Sequence, residues 1–218
     1  MATFSSIIKR VYYLRGDSDY TTASTDLTII KSHINAAIQD IINVSPFSWN
    51  LKTADLTLAA GSANLPADYN PKWHIEDARI SNSSTNDDSV FSEIPVADRD
   101  AYTTDDYGYY IVYSTTSSVH QFKSPTQTGT VTIYYHFIPD DLSGDSDVCI
   151  VPDAEAVAYL AAAKMWVGDE RNQPLKADYE QEAATRIKEM YVQDVNFGPN
   201  YSIKSVASSN PKLTQRGS

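Results

Sequence analysis

Apolar residues recur at helical spacing in two parts of this chain, and about a hundred residues without that spacing lie between them. Ile30, Ile34, Ile38, Ile41 and Ile42 form one stripe after a Thr25/Asp26 start, and Val157, Ala161 and Met165 form a second after Asp153. A third segment places Tyr179, Ala183, Ile187, Met190 and Tyr191 on one face. It is joined to the second through residues 168–174, where Gly168 ends one helix and Pro174 opens the next. Each stripe is one-sided, and an isolated amphipathic helix gains little in water. The three are therefore expected to bury one another around Ile34, Ile38, Ile41, Val157, Ala161 and Ile187. This brings the ends of the intervening region together and makes it an insertion in a helical domain.

Smaller signals divide the rest. Phe4, Ile7, Ile8, Val11 and Leu14 predict a short helix ending at Gly16, with a polar linker over residues 17–24. The long helix is expected over residues 26–44, broken by Ser45-Pro46-Phe47-Ser48-Trp49, whose aromatics are placed at the junction of helices and sheet. Leu56, Leu58 and Leu65 flank Ala60-Gly61-Ser62 as in a hairpin, residues 73–80 alternate as a strand, and residues 82–89 read as a polar loop. A helical turn is expected after Pro95, then a hairpin of residues 109–113 and 119–122. The clearest strand is residues 130–138, with Val131, Ile133, Tyr135 and Phe137 on one face. Residues 196–218 hold only scattered apolar side chains amid Gly, Pro, Ser and Lys, and are not expected to form a core.

The 218 residues suffice for one domain with an elaboration, and 42% apolar with 21% charged residues is ordinary globular usage. No apolar run approaches a membrane span, and the first residues lack a signal-peptide pattern, so a cytosolic site of synthesis is expected. Cys149 is alone, which excludes an intrachain disulfide and reads as a small buried hydrophobe. All 28 acidic residues lie between Asp17 and Asp194, against 11 basic residues in that span, a net of −17. Lys9, Arg10 and Arg15 precede them, and Lys204, Lys212 and Arg216 follow. Such a body argues against wrapping DNA, which clustered Lys and Arg do. It either repels DNA or simply keeps the surface soluble.

No nucleotide-binding, zinc-protease, hydrolase-elbow or EF-hand motif occurs, so neither a catalytic residue nor a cofactor is assigned. The acidic run from Asp140 to Asp147 is either a hard-cation site or an exposed turn, and no metal is assigned to it. His120 and His136 are expected to face each other across adjacent strands, as packing more than as ligands. Tyr102, Tyr107, Tyr109, Tyr110 and Tyr113 lack interleaved cations, so a packed sheet or subunit interface is the better reading than base stacking. Two alternatives stay open: a cell-wall glycan hydrolase using paired carboxylates, and a carbohydrate-binding module, both in the β-rich region.

In order along the chain stand the helix of residues 26–44, the hairpin ending Leu65-Pro66-Ala67-Asp68-Tyr69 and the paired strands Tyr109-Tyr110-Ile111-Val112-Tyr113 and Gln121-Phe122-Lys123-Ser124-Pro125. The strand Val131-Thr132-Ile133-Tyr134-Tyr135-His136 and the helix opening at Ile150-Val151-Pro152-Asp153 follow. This succession resembles the head-to-tail adaptor (connector) proteins of tailed bacteriophages. The resemblance implies an α+β fold: a helical bundle of residues 1–51 and 152–195, an antiparallel β-rich insertion of residues 52–151, and an extended C-terminal tail of residues 196–218. It further implies a non-enzymatic ring of about a dozen copies in the virion neck, assembled in the host cytoplasm, with DNA passing through unbound and no membrane contact. The portal is the expected partner of the tail, through Phe197, Tyr201, Ile203, Lys204, Val206, Lys212, Leu213 and Arg216. A tail or neck protein is expected on the distal side.

Overall fold

The computed structural model describes residues 1–16, 25–82, 87–101, 107–125, 127–166 and 172–197. Among these described residues four helices and eight strands are formed, the helices being α1 (Phe4–Leu14), α2 (Thr25–Ile42), α3 (Ala154–Met165) and α4 (Gln173–Phe197). Eight strands lie between α2 and α3: β1 (Leu51–Leu58), β2 (Ser62–Asn64), β3 (Asp77–Asn82), β4 (Asp87–Val90), β5 (Ser92–Glu93), β6 (Gly108–Ser114), β7 (Val119–Lys123) and β8 (Gly129–His136). The fold class is α+β.

Local chemistry sets the helix limits. The Thr3 hydroxyl caps α1 by accepting from the Ser6 N–H, and Gly16, at φ +85°, takes the left-handed turn that ends it. Asp153 caps α3 by accepting from the Glu155 N–H at 2.9 Å. Ile34, Ile38, Ile41, Val157 and Ala161 share one core with Phe4, Ile7, Ile8 and Val11, and Ile187 packs against it half-buried. The arrangement departs from three mutually packed stripes, because α3 is the centre and α1, α2 and α4 each lie against it. Ala156, Val157, Ala158, Ala161, Ala162 and Ala163 are all buried, so α3 is covered on several sides and is not one-sided. Its small side chains let three helices approach at once. Phe47 and Trp49, expected at the junction of helices and sheet, stack at 4.9 Å in the passage from α2 to β1 and pack with this helical core.

The strands make two four-stranded sheets, ordered β1-β8-β3-β4 and β2-β7-β6-β5, and every pairing is antiparallel except β5 with β6. A second core lies between them, built from Leu56, Leu58, Ala78, Val131, Ile133 and Tyr135 of the first sheet and from Tyr109 and Phe122 of the second. Tyr109 and Phe122 stack at 4.8 Å, and Phe91, where the chain crosses between sheets, meets Phe122 edge-on at 5.7 Å. The expected β1–β2 hairpin is corrected. The turn closes through Ala59 and Ser62, but β1 then pairs with β8 while β2 pairs with β7. Gly61 makes that divergence possible. At φ +73°, a Cβ there would sit 2.1 Å from the Ser124 carbonyl oxygen, whose residue donates its N–H to the Gly61 carbonyl at 2.7 Å. The strand expected over residues 73–80 starts only at Asp77. Part of the expected polar loop is β4, paired with β3.

A polar seam joins the two cores. The Trp73 indole N–H donates to the Ile42 carbonyl at 3.1 Å, Lys72 Nζ donates to the Asn43 carbonyl, and the Asn70 amide donates to Asn43 Oδ1 at 3.2 Å. His136, 1% exposed, lies in the same seam with Nε2 3.0 Å from Glu76.

Candidate assembly interface

The end of α4, from which the remaining chain departs, is built from its packing on α3. Ala183 and Met190 are buried, and the Tyr179 hydroxyl donates to the Leu14 carbonyl at 2.8 Å. Arg186 bonds Glu182 at 2.9 Å and Asp153 at 3.1 Å, and its guanidinium stands over the Tyr159 ring. Arg10 stands over the same ring while bonding Glu155 at 2.8 Å. Tyr159 is thus held by cations from α1 and α4, and these charge-assisted contacts fix the direction of α4. Farther along, Asp194 accepts from the Ser48 N–H at 2.9 Å and from the Ser48 hydroxyl, anchoring the last turns of α4 beside the entry to β1.

Beside this anchor lies an exposed apolar face. Tyr191, Val192 and Val195 are 48%, 46% and 61% exposed, and their spacing puts them on neighbouring positions of one helical surface. Tyr191 was expected on the buried stripe. The structure corrects this, because α4 buries a narrow line through Tyr179, Ala183, Ile187 and Met190, and Tyr191 stands one residue outside it. Val192 and Val195 were not singled out; the signal that finds them is their spacing of three and four residues among Tyr191, Val192 and Val195, off the period that runs through Met190. The helix runs to Phe197, so the first two residues of the expected tail are helical. Tyr201, Ile203, Lys204, Val206, Lys212, Leu213 and Arg216 lie outside the described residues, as does the side chain of Phe197.

The other sequence candidates fall elsewhere. In the 140–147 run, Asp147 accepts from the N–H groups of Ser143 and Gly144 at 2.8 Å each, which hold its carboxyl below the usual carboxylate range. Asp145 pairs with Lys31 at 3.6 Å, and Leu142 exchanges two bonds with the Asn35 amide. The run therefore straps α2 and, through Phe4 N–H to the Asp147 carbonyl at 2.8 Å, the start of α1. Among the described residues no three His, Cys, Asp or Glu side chains are grouped to hold a metal ion. His120 and His136 do not face each other: His120 is on β7 of one sheet, between Tyr69 and Tyr113, and His136 is on β8 of the other. Cys149 is buried, and burial pushes its thiol up. Of the tyrosines, Tyr109 is buried and Tyr113 exposed, while Tyr102 lies outside the described residues.

An open cleft of about 260 Å³ in the β-rich region is lined by Tyr69, Trp73, His74, Glu93, Ile111 and His120, among others. Among the described residues Glu93 is the one carboxylate of its lining and pairs with His74 at 2.8 Å. A glycosidase needs two carboxylates across such a space, and among the described residues one is present here.

The sequence profile described as SU10 adaptor protein matches residues 2–202, which takes in both helical segments, both sheets and the end of α4. The chain belongs to the SU10 adaptor protein family. No curated protein matches it significantly. Among solved structures, a chain from the "Neck of empty GTA particle computed with C6 symmetry" aligns at 14% identity. The alignment covers 82% of this chain and 92% of that one, with a TM-score of 0.29, too low to establish a common fold. The exposed face of α4 lies within the span that the SU10 adaptor profile matches. Among the described residues no helix is long and apolar enough to cross a membrane.

Proposed function

We propose that the chain is a structural, non-enzymatic component of a phage neck, forming a ring that joins the portal to the tail and continues the DNA channel. The observation that carries this reading is the adaptor-family match over residues 2–202. In this reading the two cores correspond to a helical body of residues 1–51 and 152–195 that carries the β-rich insertion of residues 52–151. The tail of residues 196–218, which begins in the last turn of α4, docks on the portal. Phe197, Tyr201, Ile203, Val206 and Leu213 enter preformed grooves, while Lys204, Lys212 and Arg216 meet acidic neighbours. The ring holds about a dozen copies. Its channel carries an excess of the acidic residues, so that DNA passes without adhering.

Mass measurement of the purified protein, with and without portal, tests the assembly. A defined ring, alone or bound to portal, is expected, and a monomer that ignores the portal overturns the reading. Turnover of cell-wall glycan, lost on replacing one carboxylate, would favour the hydrolase instead.

A further inference from the structure

The first sheet ends in a long unpaired edge. β1 is its outermost strand and runs for eight residues. The Phe137 N–H donates to the Asn50 carbonyl at 3.3 Å just before β1. Antiparallel alternation from that pair turns the backbone of residues 52, 54, 56 and 58 toward β8, and that of 51, 53, 55 and 57 outward. The Leu51 N–H is taken by the Ser48 carbonyl. No backbone or side-chain group among the described residues bonds the outward N–H of Thr53, Asp55 or Thr57. An edge of this length is normally paired or covered.

The end of α4 is tied to the entry of this strand. Asp194 is bonded to Ser48, three residues before β1 begins, and α4 ends one turn later at Phe197. Twenty-one residues follow. They open with Gly198-Pro199-Asn200, a turn-forming run, and continue as Tyr201-Ser202-Ile203-Lys204-Ser205-Val206, where apolar and polar residues alternate through Lys204. Four residues beyond Phe197 reach about 13 Å, enough to enter alongside the start of β1.

We propose that in the free subunit residues 201–206 add to β1 as a fifth strand of the first sheet, running parallel to it. The side chains fit such an addition. On β1 the face toward the core carries Ala54, Leu56 and Leu58, and the opposite face carries Thr53, Asp55 and Thr57. Tyr201 and Ile203 extend the apolar face beyond the present sheet edge, while Lys204 lies on the face of Asp55, opposite to it in charge. The docking tail thus has a resting place before it meets another protein. This goes beyond the portal reading, and the two fail separately because portal binding is a different measurement.

Amide hydrogen exchange on the full chain, read residue by residue by NMR, tests the proposal. The comparison is with the full-length variants Ile203→Pro and Lys204→Pro, and with a chain ending at Phe197. Being adjacent, the two prolines ensure that one removes an N–H directed at β1, whichever way the strand is phased. The amides of Thr53, Asp55 and Thr57 are expected to exchange at least about tenfold faster in the shortened chain and in one proline variant than in the unaltered chain. Equal rates in all four proteins overturn the proposal. Protection that rises with protein concentration also overturns it, by assigning the strand to a second copy. If the shortened chain does not fold, the proline variants decide alone.

Discussion

Two glycines in left-handed conformation separate the cost of backbone geometry from the cost of space. Gly16 has nothing within 4 Å of an added Cβ, so Gly16→Ala is expected to destabilise by about 1 kcal/mol from conformation alone. Gly61→Ala meets the same conformational cost and also drives Cβ into the Ser124 carbonyl. It is expected to cost more, about 2–4 kcal/mol, and to loosen β2 from β7. Paired urea titrations check the order, and equal losses would refute it. In the helical core, Ile38 is 4% exposed. Ile38→Asp leaves an unpaired buried charge, a loss of several kcal/mol from a total of about 5–15, and circular dichroism should report loss of helix. Retained helix with the carboxylate in solvent would defeat that expectation. At Asp68, burial raises the carboxyl pKa, but bonds from Lys52 at 2.6 Å and Tyr135 at 2.8 Å outweigh it, and the net direction is down. A depressed carboxyl pKa stabilises the fold above its unfolded value near 3.8 and loses that contribution as pH falls through the lower folded value. Asp68→Asn should therefore remove part of the stability at neutral pH and flatten the acid limb of the stability curve.

Among the elements, the β sheets carry the alkaline counterpart. Burial, the largest cause, together with the charge of Glu93 pushes the Tyr69 hydroxyl up to about 12. Burial likewise raises Tyr109 and Tyr135. A raised tyrosine contributes stability fully below its unfolded pKa of 10.0 and loses it as pH rises through the folded value. Stability should fall between pH 10 and 12, with Tyr69→Phe reducing that slope in a urea titration at each pH. The elements also differ in how far their residues announce them. The isoleucines of α2 and the Asp153 cap of α3 are local signals, and they locate those helices to within a few residues. The turn at Ala60-Gly61 looks the same whether its strands pair with each other or part into different sheets. That choice is made by β8 and β7, more than fifty residues away. β4 is polar and carries no strand pattern; pairing with β3 makes it a strand. Tyr191 was misread because α4, lying mainly on α3, buries a narrower stripe than its apolar content suggests.

For the whole molecule, two apolar cores joined by a seam of amide, ammonium and indole hydrogen bonds predict two opening units. Trp73→Phe, which removes the donor to the Ile42 carbonyl, is expected to lower exchange protection around Ile42 and Asn43 while amides inside each core keep theirs. A uniform loss across both would mean that the cores open as one.

The Thr3–Val148 bridge, with the Cys149 N–H donating to the Ala2 carbonyl at 3.0 Å, sets an order of events at the ribosome. α1 cannot be seated until Val148 and Cys149 have been made, and its resting surface on α3 emerges later still. The strands between can pair in the meantime. A nascent chain halted after β8 should therefore resist protease across the sheets and be cut within the first forty residues, and release of the last helices should close that window.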